Sequence, residues 1–175
     1  MIGVDIGTYT IKIVEASKKG AGLSIKQAFQ VPNPLGKIHP TTEEEINALI
    51  SAVAHPFKEK KLPKSDVRAG YPESAVSTKI VSMPPLTDAE LASAVNWQAE
   101  QYIPIPADQL QLEYQVLHRP PKSNLTEQMR VLLIGVVRDQ MKAYSGMLFD
   151  VGLEISNIET NTLALYKSVS KDVMN

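Results

Sequence analysis

The residues near the N-terminus that could bind a charged ligand form the sequence Asp-Ile-Gly-Thr-Tyr, from Asp5 to Tyr9. Gly7 has no side chain to keep a ligand away from the backbone, and Thr8 and Tyr9 offer N–H groups and hydroxyls to an anion. An acidic residue ahead of such a turn suits a hydrated divalent cation that accompanies phosphates. The same residues also favour an ordinary hairpin in which Asp5 and Gly7 merely form the turn. Because the motif is short and common, both interpretations stay open at this point.

Two short strands and a tight turn must position these residues. Apolar residues alternate with small or charged ones over 2–6 and again over 11–15, which is the pattern of half-buried strands. A third strand is predicted over 23–29, a helix after the N-cap residue Thr42, and a short strand over 67–71. The chain up to residue 71 therefore reads β-β-β-α-β, and its last strand can lie parallel to its first.

A second unit follows, with the pattern β-α-β-β-α. Its predicted elements are a strand over 76–83, a helix that begins with a capping box, strands over 110–116 and 131–137, and a helix that ends at a glycine C-cap; the capping residues are Thr87, Glu90 and Gly152. The strand over 131–137 is so apolar that burial on both of its faces is expected.

Helical spacing predicts which side chains of the first of these two helices are buried. Leu91, Val95, Ala99 and Tyr102 fall on one face and are expected to point inward. Trp97 falls off that face, and we expect a half-buried packing residue there, with contact to a partner as the alternative. In the second helix of the unit, Asp139 is the expected cap.

A strand over 155–159 and a helix that opens at Asn161 or Thr162 complete the pattern. Because the preceding unit already reads as complete, this late strand is expected to return to the first sheet. The predicted organisation is a discontinuous domain, 1–73 and 154–175, with an insertion over 74–153.

The composition excludes several classes of protein. The chain has 175 residues, of which 43% are hydrophobic and 21% charged, as in ordinary soluble domains. A net charge of −1 and the lack of a basic tail argue against a nucleic-acid partner, and the absence of cysteine excludes a disulfide scaffold and a thiolate metal site. The longest apolar run, Val131–Val137, is far shorter than the roughly 20 residues of a membrane helix. With no signal peptide in view, we expect a cytoplasmic protein that meets the inner membrane only indirectly, through a partner.

The order of these elements resembles the first half of the actin-like ATPase fold, which actin, Hsp70, sugar kinases and the division protein FtsA share. Within that superfamily, three segments resemble the PilM family of type IV pilus assembly proteins. They are G-V-D-I-G-T-Y-T-I-K-I-V-E from Gly3, the stretch Met83–Pro106 with its distinctive E-Q-Y-I-P-I-P, and the return from Val151 to Leu165. The predicted fold class is therefore α/β, an actin-like ATPase fold of which the first half is present. Residues 1–73 and 154–175 would be its subdomain 1A-like part, and 74–153 its 1C-like insertion.

The resemblance implies roles for the N-terminal motif. Asp5 would approach the Mg²⁺ of a nucleotide through a metal-bound water, Gly7, Thr8 and Tyr9 would form the first phosphate loop, and Lys12 would reach a phosphate. The family's second phosphate loop and adenosine pocket do not follow Asn175. We therefore expect ATP or ADP with Mg²⁺ to be a cofactor of a full-length parent, and weak or no nucleotide binding, without turnover, by this chain.

One further residue carries an implied catalytic role. Glu159 ends the return strand where the superfamily often places a residue that orients water, and a helix-capping carboxylate is the equally weighted alternative. Lys12, taken alone as a lysine on a strand, would more often be a solvated side chain.

The implied function is that of a scaffold in the type IV pilus inner-membrane assembly platform. In the PilM family a groove beside the 1C-like subdomain takes the cytoplasmic N-terminal peptide of the membrane protein PilN, so a PilN-like protein is the expected partner. Other platform or motor components and self-association are further candidates. Two alternatives stay open: an FtsA-type cell-division protein, and the N-terminal half of an actin-fold sugar or acyl kinase in which Glu159 or Asp139 would supply the base.

Overall fold

The computed structural model describes residues 1–20, 22–121 and 126–173. The chain divides into two compact units. Unit 1 contains Met1–Glu73 and the segment that begins at Lys142, and unit 2 contains Ser74–Met141. Among the described residues, no helix is long and apolar enough to cross a bilayer.

Eight strands and four α-helices follow one another along the described residues, in nearly the predicted order. The elements of unit 1 before the insertion are β1 (Ile2–Ile6), β2 (Thr10–Lys19), β3 (Gly22–Pro32), α1 (Glu43–Glu59) and β4 (Val67–Tyr71). A short 3-10 turn, Glu73–Ala75, leads to β5 (Val76–Met83), α2 (Asp88–Tyr102), β6 (Leu110–His118) and β7 (Met129–Val137). The chain continues through α3 (Arg138–Asp150), β8 (Ile155–Thr160) and α4 (Asn161–Val173).

Unit 1 is built on a five-stranded sheet with the order β3-β2-β1-β4-β8. The first three strands form the predicted antiparallel meander, because β2 pairs with both β1 and β3 in antiparallel fashion. β4 lies parallel to β1, and β8 lies parallel to β4, so the predicted return of the last strand to the first sheet is confirmed. The alternate apolar residues of β1 and β2 are buried, and α1 contributes Leu49, Val53 and Phe57 to the buried set.

Unit 2 is built on a three-stranded antiparallel sheet with the order β5-β7-β6. The capping box that opens α2 is complete: the Thr87 hydroxyl accepts from the Glu90 N–H, and the Glu90 carboxylate accepts from the Thr87 N–H. The buried residues of α2 pack against one face of the sheet, where Met129, Val131 and Leu133 of β7 are fully buried.

The prediction that β7 is buried on both faces is wrong. The alternate residues Arg130, Leu132 and Ile134 are exposed or only partly buried. The core cluster of unit 2 joins residues of α2 to one side of the sheet, so the apolar run in the sequence reports a central strand rather than a strand covered twice.

Two predictions for the side chains of α2 are also wrong. Tyr102 is 48% exposed although it follows the buried face, because α2 ends there and the ring lies under the Lys79 ammonium, 5.3 Å from the ring centroid. Trp97 is 59% exposed rather than half-buried, since it stands opposite the face of Leu91, Val95 and Ala99. Ile103, which follows α2, packs directly against Gly135 of β7. A Cβ placed on Gly135 would lie only 2.6 Å from the Ile103 Cγ2 atom.

Helix α3 differs from its prediction at its start and confirms it at its end. The helix already begins at Arg138, so Asp139 lies in its first turn and is not its cap. At the other end, Gly152 has φ +84° and donates to the Phe149 carbonyl, while Leu153 donates to the Leu148 carbonyl, which is the predicted glycine C-cap.

The second boundary between the units lies at 141/142, whereas the sequence places it at 153/154. The physical reason is Tyr144 of α3, whose ring meets Tyr71 edge-on at 5.1 Å and whose hydroxyl donates to the Gly70 carbonyl at 2.7 Å. These contacts attach the later part of α3 to β4 of unit 1. The assignment of the units to the subdomains 1A and 1C stays a prediction.

Candidate functional site

The predicted site residues lie at the carboxyl ends of the three parallel strands of unit 1. In the register of the sheet, Asp5 of β1 faces Gly70 of β4, and Gly70 faces Glu159 of β8. Ligands of α/β sheets bind outside the carboxyl ends of the strands, where loops and helix N-termini meet. The structure thus brings two residues singled out from distant parts of the sequence into one row.

Both oxygen atoms of the Asp5 carboxylate are engaged. The Lys12 ammonium, on the strand position opposite Asp5, lies 2.8 Å from Oδ2, and the Asn161 amide donates to Oδ1 over 3.1 Å. The carboxylate therefore has a fixed orientation, with a cation beside it. Lys12 is 53% exposed, so its ammonium can turn towards an anion bound at the same edge.

The turn between β1 and β2 is a closed hairpin that exposes its tip. The Gly7 N–H donates to the Thr10 carbonyl at 2.9 Å, and Tyr9 is 79% exposed. A Cβ on Gly7 would lie 3.1 Å from the Thr10 carbonyl oxygen and 3.9 Å from the Lys12 ammonium. A side chain at this position would crowd the Thr10 carbonyl, so the closed turn favours glycine.

Asn33 holds this turn in place, and the sequence did not reveal its role. It is 7% exposed, and its amide nitrogen donates to the Gly7 carbonyl at 2.8 Å and to the Lys37 carbonyl at 2.9 Å. Its backbone N–H also donates to the Tyr9 carbonyl at 2.9 Å. The signal that could have pointed to it was an asparagine between two prolines, Pro32 and Pro34, where the chain turns. An asparagine buried in such a turn must find hydrogen-bond partners for its amide, and the nearby backbone supplies them.

Gly70 and Asn161 are the other residues of the site that sequence reasoning missed. A Cβ on Gly70 would collide with the Asn161 side-chain oxygen and lie 3.6 Å from Asp5 Oδ1. The missing side chain of Gly70 therefore lets the Asn161 amide reach Asp5. A glycine inside a strand is a signal for such a close approach, whereas Asn161 was predicted only as the start of a helix.

Glu159 forms an ion pair with Lys167, which lies about two turns into α4. The hydrogen bond from Lys167 is the main cause that holds the pKa of this carboxyl below its usual value, with a weaker one from Asn157. The side chain is thus an ionised carboxylate that already has a partner. Its assignment as a water-orienting residue stays a prediction.

The donor set fits a nucleotide phosphate with a hydrated cation better than it fits a directly bound metal. It combines one oriented carboxylate, one half-exposed lysine ammonium paired with it, and a glycine turn. In the described ranges, no group of three or more histidine or acidic residues is arranged to hold a metal ion. The predicted contact of Asp5 with Mg²⁺ runs through water, and the engaged state of both carboxylate oxygens is compatible with that outer position.

Comparisons with known proteins place this geometry in context. The chain is similar over 98% of its length to the structure of a PilM–PilN type IV pilus biogenesis complex, with a TM-score of 0.82 and 24% identity, and covers 50% of that chain. It is similar over 93% of its length to the cytoplasmic domain of EpsL, an inner membrane component of the type II secretion system of Vibrio cholerae, with a TM-score of 0.61 and 17% identity, and covers 58% of that domain.

These likenesses show the fold, and the chain spans about half the length of the solved chains it matches. The predicted fold class, α/β with the arrangement of the first half of an actin-like fold, is confirmed. The family model described as type IV pilus assembly protein PilM matches residues 3–174. The chain therefore belongs to the PilM family of type IV pilus assembly proteins.

Proposed function

We propose that the chain is a cytoplasmic scaffold domain of the type IV pilus assembly platform and binds the cytoplasmic N-terminal peptide of a PilN-like membrane protein. The observation that carries the proposal is the likeness, at a TM-score of 0.82, to a PilM that was solved in complex with PilN. Family membership over residues 3–174 supports the pilus assignment over the FtsA and kinase alternatives. Attachment to the inner membrane would then follow from this partner.

Unit 2 offers the chemistry that a short, partly apolar peptide needs. Its sheet ends in two edge strands, β5 and β6, and an extended peptide can add to such an edge through backbone hydrogen bonds. Exposed apolar side chains accompany both edges, with Ile80 on β5, and Tyr114 and Leu117 on β6. Main-chain pairing would supply affinity, and these side chains would supply selectivity.

The single tryptophan of the chain provides a test of this location. Trp97 lies in unit 2 and is 59% exposed, so a peptide that binds to this unit and covers or repacks α2 changes its emission. We expect a saturable shift of the Trp97 emission with the PilN-like peptide and none with a scrambled peptide. The variant Tyr114→Ser should weaken the binding, whereas Tyr166→Ser, on α4 of unit 1, serves as the matched control.

A peptide that binds with full affinity to the Tyr114→Ser variant would remove β6 as the docking edge. An unchanged Trp97 emission, together with binding seen by anisotropy of a labelled peptide, would place the peptide away from α2. Neither result would affect the family assignment, which rests on the sequence.

For the carboxyl edge of the sheet in unit 1, we propose that a longer parent protein holds ATP or ADP with Mg²⁺ there. Gly7, Thr8 and Tyr9 would cradle the phosphates, Lys12 would pair with one of them, and Asp5 would face the hydrated cation. The oriented Asp5 carboxylate and the Lys12 ammonium beside it support this assignment. In that parent protein, the bound nucleotide with Mg²⁺ would be the substrate of a slow hydrolysis.

Because this chain spans about half of its solved relatives, we expect it to bind Mg-ATP weakly or not at all. Calorimetric titration with Mg-ATP checks this expectation, with Lys12→Gln as the variant and Lys26→Gln, an ion-paired lysine on the neighbouring strand, as its control. Micromolar affinity of the unaltered chain would contradict the expectation. Where binding is measurable, equal affinities of the two variants would remove Lys12 from the site.

A further inference from the structure

The ribbon of β2 and β3 extends beyond the rest of the sheet in unit 1. β1 pairs with β2 from Ile11 to Glu15, and Met1 exchanges two backbone hydrogen bonds with Ala16. Beyond Ala16, β2 and β3 pair only with each other in the described part of the chain. We call this end, residues 16–19 with 22–26, the ribbon tip.

The ribbon tip carries the most exposed large apolar side chains found on any described strand. Leu23 is 60% exposed and Ile25 is 66% exposed, although both lie in regular β-structure. They stand two residues apart and so point to the same face, which they share with their cross-strand partners Lys18 and Ala16. Two adjacent exposed aliphatic side chains form a small apolar patch, and covering such a patch with another apolar surface is favourable.

Positive charge surrounds this apolar pair. Lys18 and Lys19 are exposed, and neither has an ion-pair partner among the residues that the structure describes. Lys26 follows directly and pairs with Glu15 at 3.0 Å. From residue 16 to residue 30 the sequence holds three lysines and no acidic residue, although the whole chain has a net charge of −1.

The backbone of β3 argues against pairing with a second copy of the chain. The register shift of the ribbon leaves Lys26 as an extra residue in β3, and a bulge with a lysine on an edge strand is a device that prevents strand addition. The exposed feature is therefore the face of the ribbon tip and not its edge. A face on which two aliphatic side chains stand beside the Lys18 ammonium, with Lys19 close by at the same strand end, matches the boundary between anionic lipid headgroups and acyl chains.

We propose that the ribbon tip contacts an anionic membrane surface, with Leu23 and Ile25 entering the interface and Lys18, on the same face, meeting the headgroups. Lys19 adds positive charge from the opposite face of the strand end. The sequence predicted only indirect membrane attachment through a partner, and this inference adds a direct contact. It does not depend on peptide binding by unit 2.

The expected strength of this contact is modest. Each lysine near an anionic surface raises the partition about fivefold, so two lysines favour anionic over neutral vesicles by roughly 25-fold. Burial of each aliphatic side chain adds about tenfold. A contact of this size binds reversibly, and it would orient a protein that a membrane-anchored partner already holds nearby.

Vesicle flotation of the 175-residue chain tests the proposal. We expect binding to phosphatidylglycerol-rich vesicles at millimolar lipid and little binding to phosphatidylcholine vesicles. Salt at 0.5 M screens exposed charges and should lower the affinity for the anionic vesicles about tenfold. The double variant Leu23→Ser, Ile25→Ser should bind at least about tenfold more weakly. The matched control is Leu165→Ser, which removes an aliphatic side chain of similar exposure from α4.

A fluorescent label shows which part of the chain meets the membrane. Because the chain has no cysteine, Leu23→Cys and Leu165→Cys can each carry a single environment-sensitive fluorophore. Anionic vesicles should shift the emission of the label at position 23 to the blue and leave the label at position 165 unchanged. Equal binding of the double variant and the unaltered chain, a shift at position 165 alone, or no binding to anionic vesicles would each overturn the proposal.

Discussion

The buried hydroxyl of Tyr71 allows a sharp test of the structure of unit 1. Tyr71 is 1% exposed, and its hydroxyl has no hydrogen-bond partner among the described residues. Its neighbour Tyr144, whose ring lies 5.1 Å away, is also buried, but its hydroxyl donates to the Gly70 carbonyl at 2.7 Å. Burial without a partner is also what raises the pKa of Tyr71 above its usual value. The two tyrosines form a matched pair, one satisfied and one not.

We therefore expect opposite effects from the two phenylalanine variants. Tyr71→Phe removes a buried polar group that folding strips of water without compensation, and it should raise the free energy of unfolding by about 1 kcal/mol. Tyr144→Phe removes a made hydrogen bond and should lower that free energy by about 1 to 1.5 kcal/mol. The predicted difference between the variants is about 2 kcal/mol, or close to 1 M in the urea midpoint for an m-value near 2 kcal/mol/M.

Urea unfolding followed by circular dichroism measures this difference. Both variants keep the aromatic ring, so the core packing of unit 1 changes little in either. If Tyr71→Phe destabilised the protein as much as Tyr144→Phe, the Tyr71 hydroxyl would have a partner in solution. The nearby His39, whose Nε2 atom is likewise buried and unpaired among the described residues, would then be joined to it by a bound water.

Three further changes have effects that follow from single contacts. Gly135→Ala should lower the free energy of unfolding by about 1 to 3 kcal/mol in urea unfolding, because the new methyl group would press on Ile103; Gly146→Ala, where the added Cβ meets open space, is the control. Thr87→Ala breaks the capping box of α2 and should lower the free energy of unfolding by about 1 kcal/mol in the same assay, whereas Thr87→Ser should keep most of the stability. Burial lowers the pKa of His39, so the unfolded chain takes up its proton more readily, and stability should fall as the pH drops below about 6.5; His39→Gln should flatten this dependence between pH 7.5 and 5.5.

The fold could be predicted largely because its signals are local. The alternation of apolar residues in β1 and β2, the capping box at Thr87 and the glycine C-cap at Gly152 each mark an element or its end by themselves. The return of β8 to the first sheet followed from the completeness of the unit before it. What failed was solvent exposure: the sequence of β7 reads as fully buried, yet on its face away from α2 Arg130 is exposed and Leu132 and Ile134 are only partly buried.

The candidate site was predicted in part. Asp5 and Lys12 face each other as strand partners, so their contact follows from the hairpin register. Asn161 lies 156 residues away from Asp5, and nothing in its neighbourhood shows that it donates to that carboxylate. Such long-range hydrogen bonds depend on how β8 aligns with β4, which a single sequence does not display. The partner of Glu159, Lys167, is close in the sequence, but their contact depends on how α4 packs against β8, which the sequence alone does not display.

The most direct test of the scaffold role is a calorimetric titration of this chain with a synthetic peptide that copies the N-terminal cytoplasmic residues of a PilN-like protein from the same organism. A scrambled peptide of the same composition is the control, and circular dichroism establishes that the chain is folded. We expect saturable binding with a stoichiometry near one for the true peptide and no heat change beyond dilution for the scrambled one. Equal heats from both peptides, or no binding to the folded chain, would contradict the scaffold role.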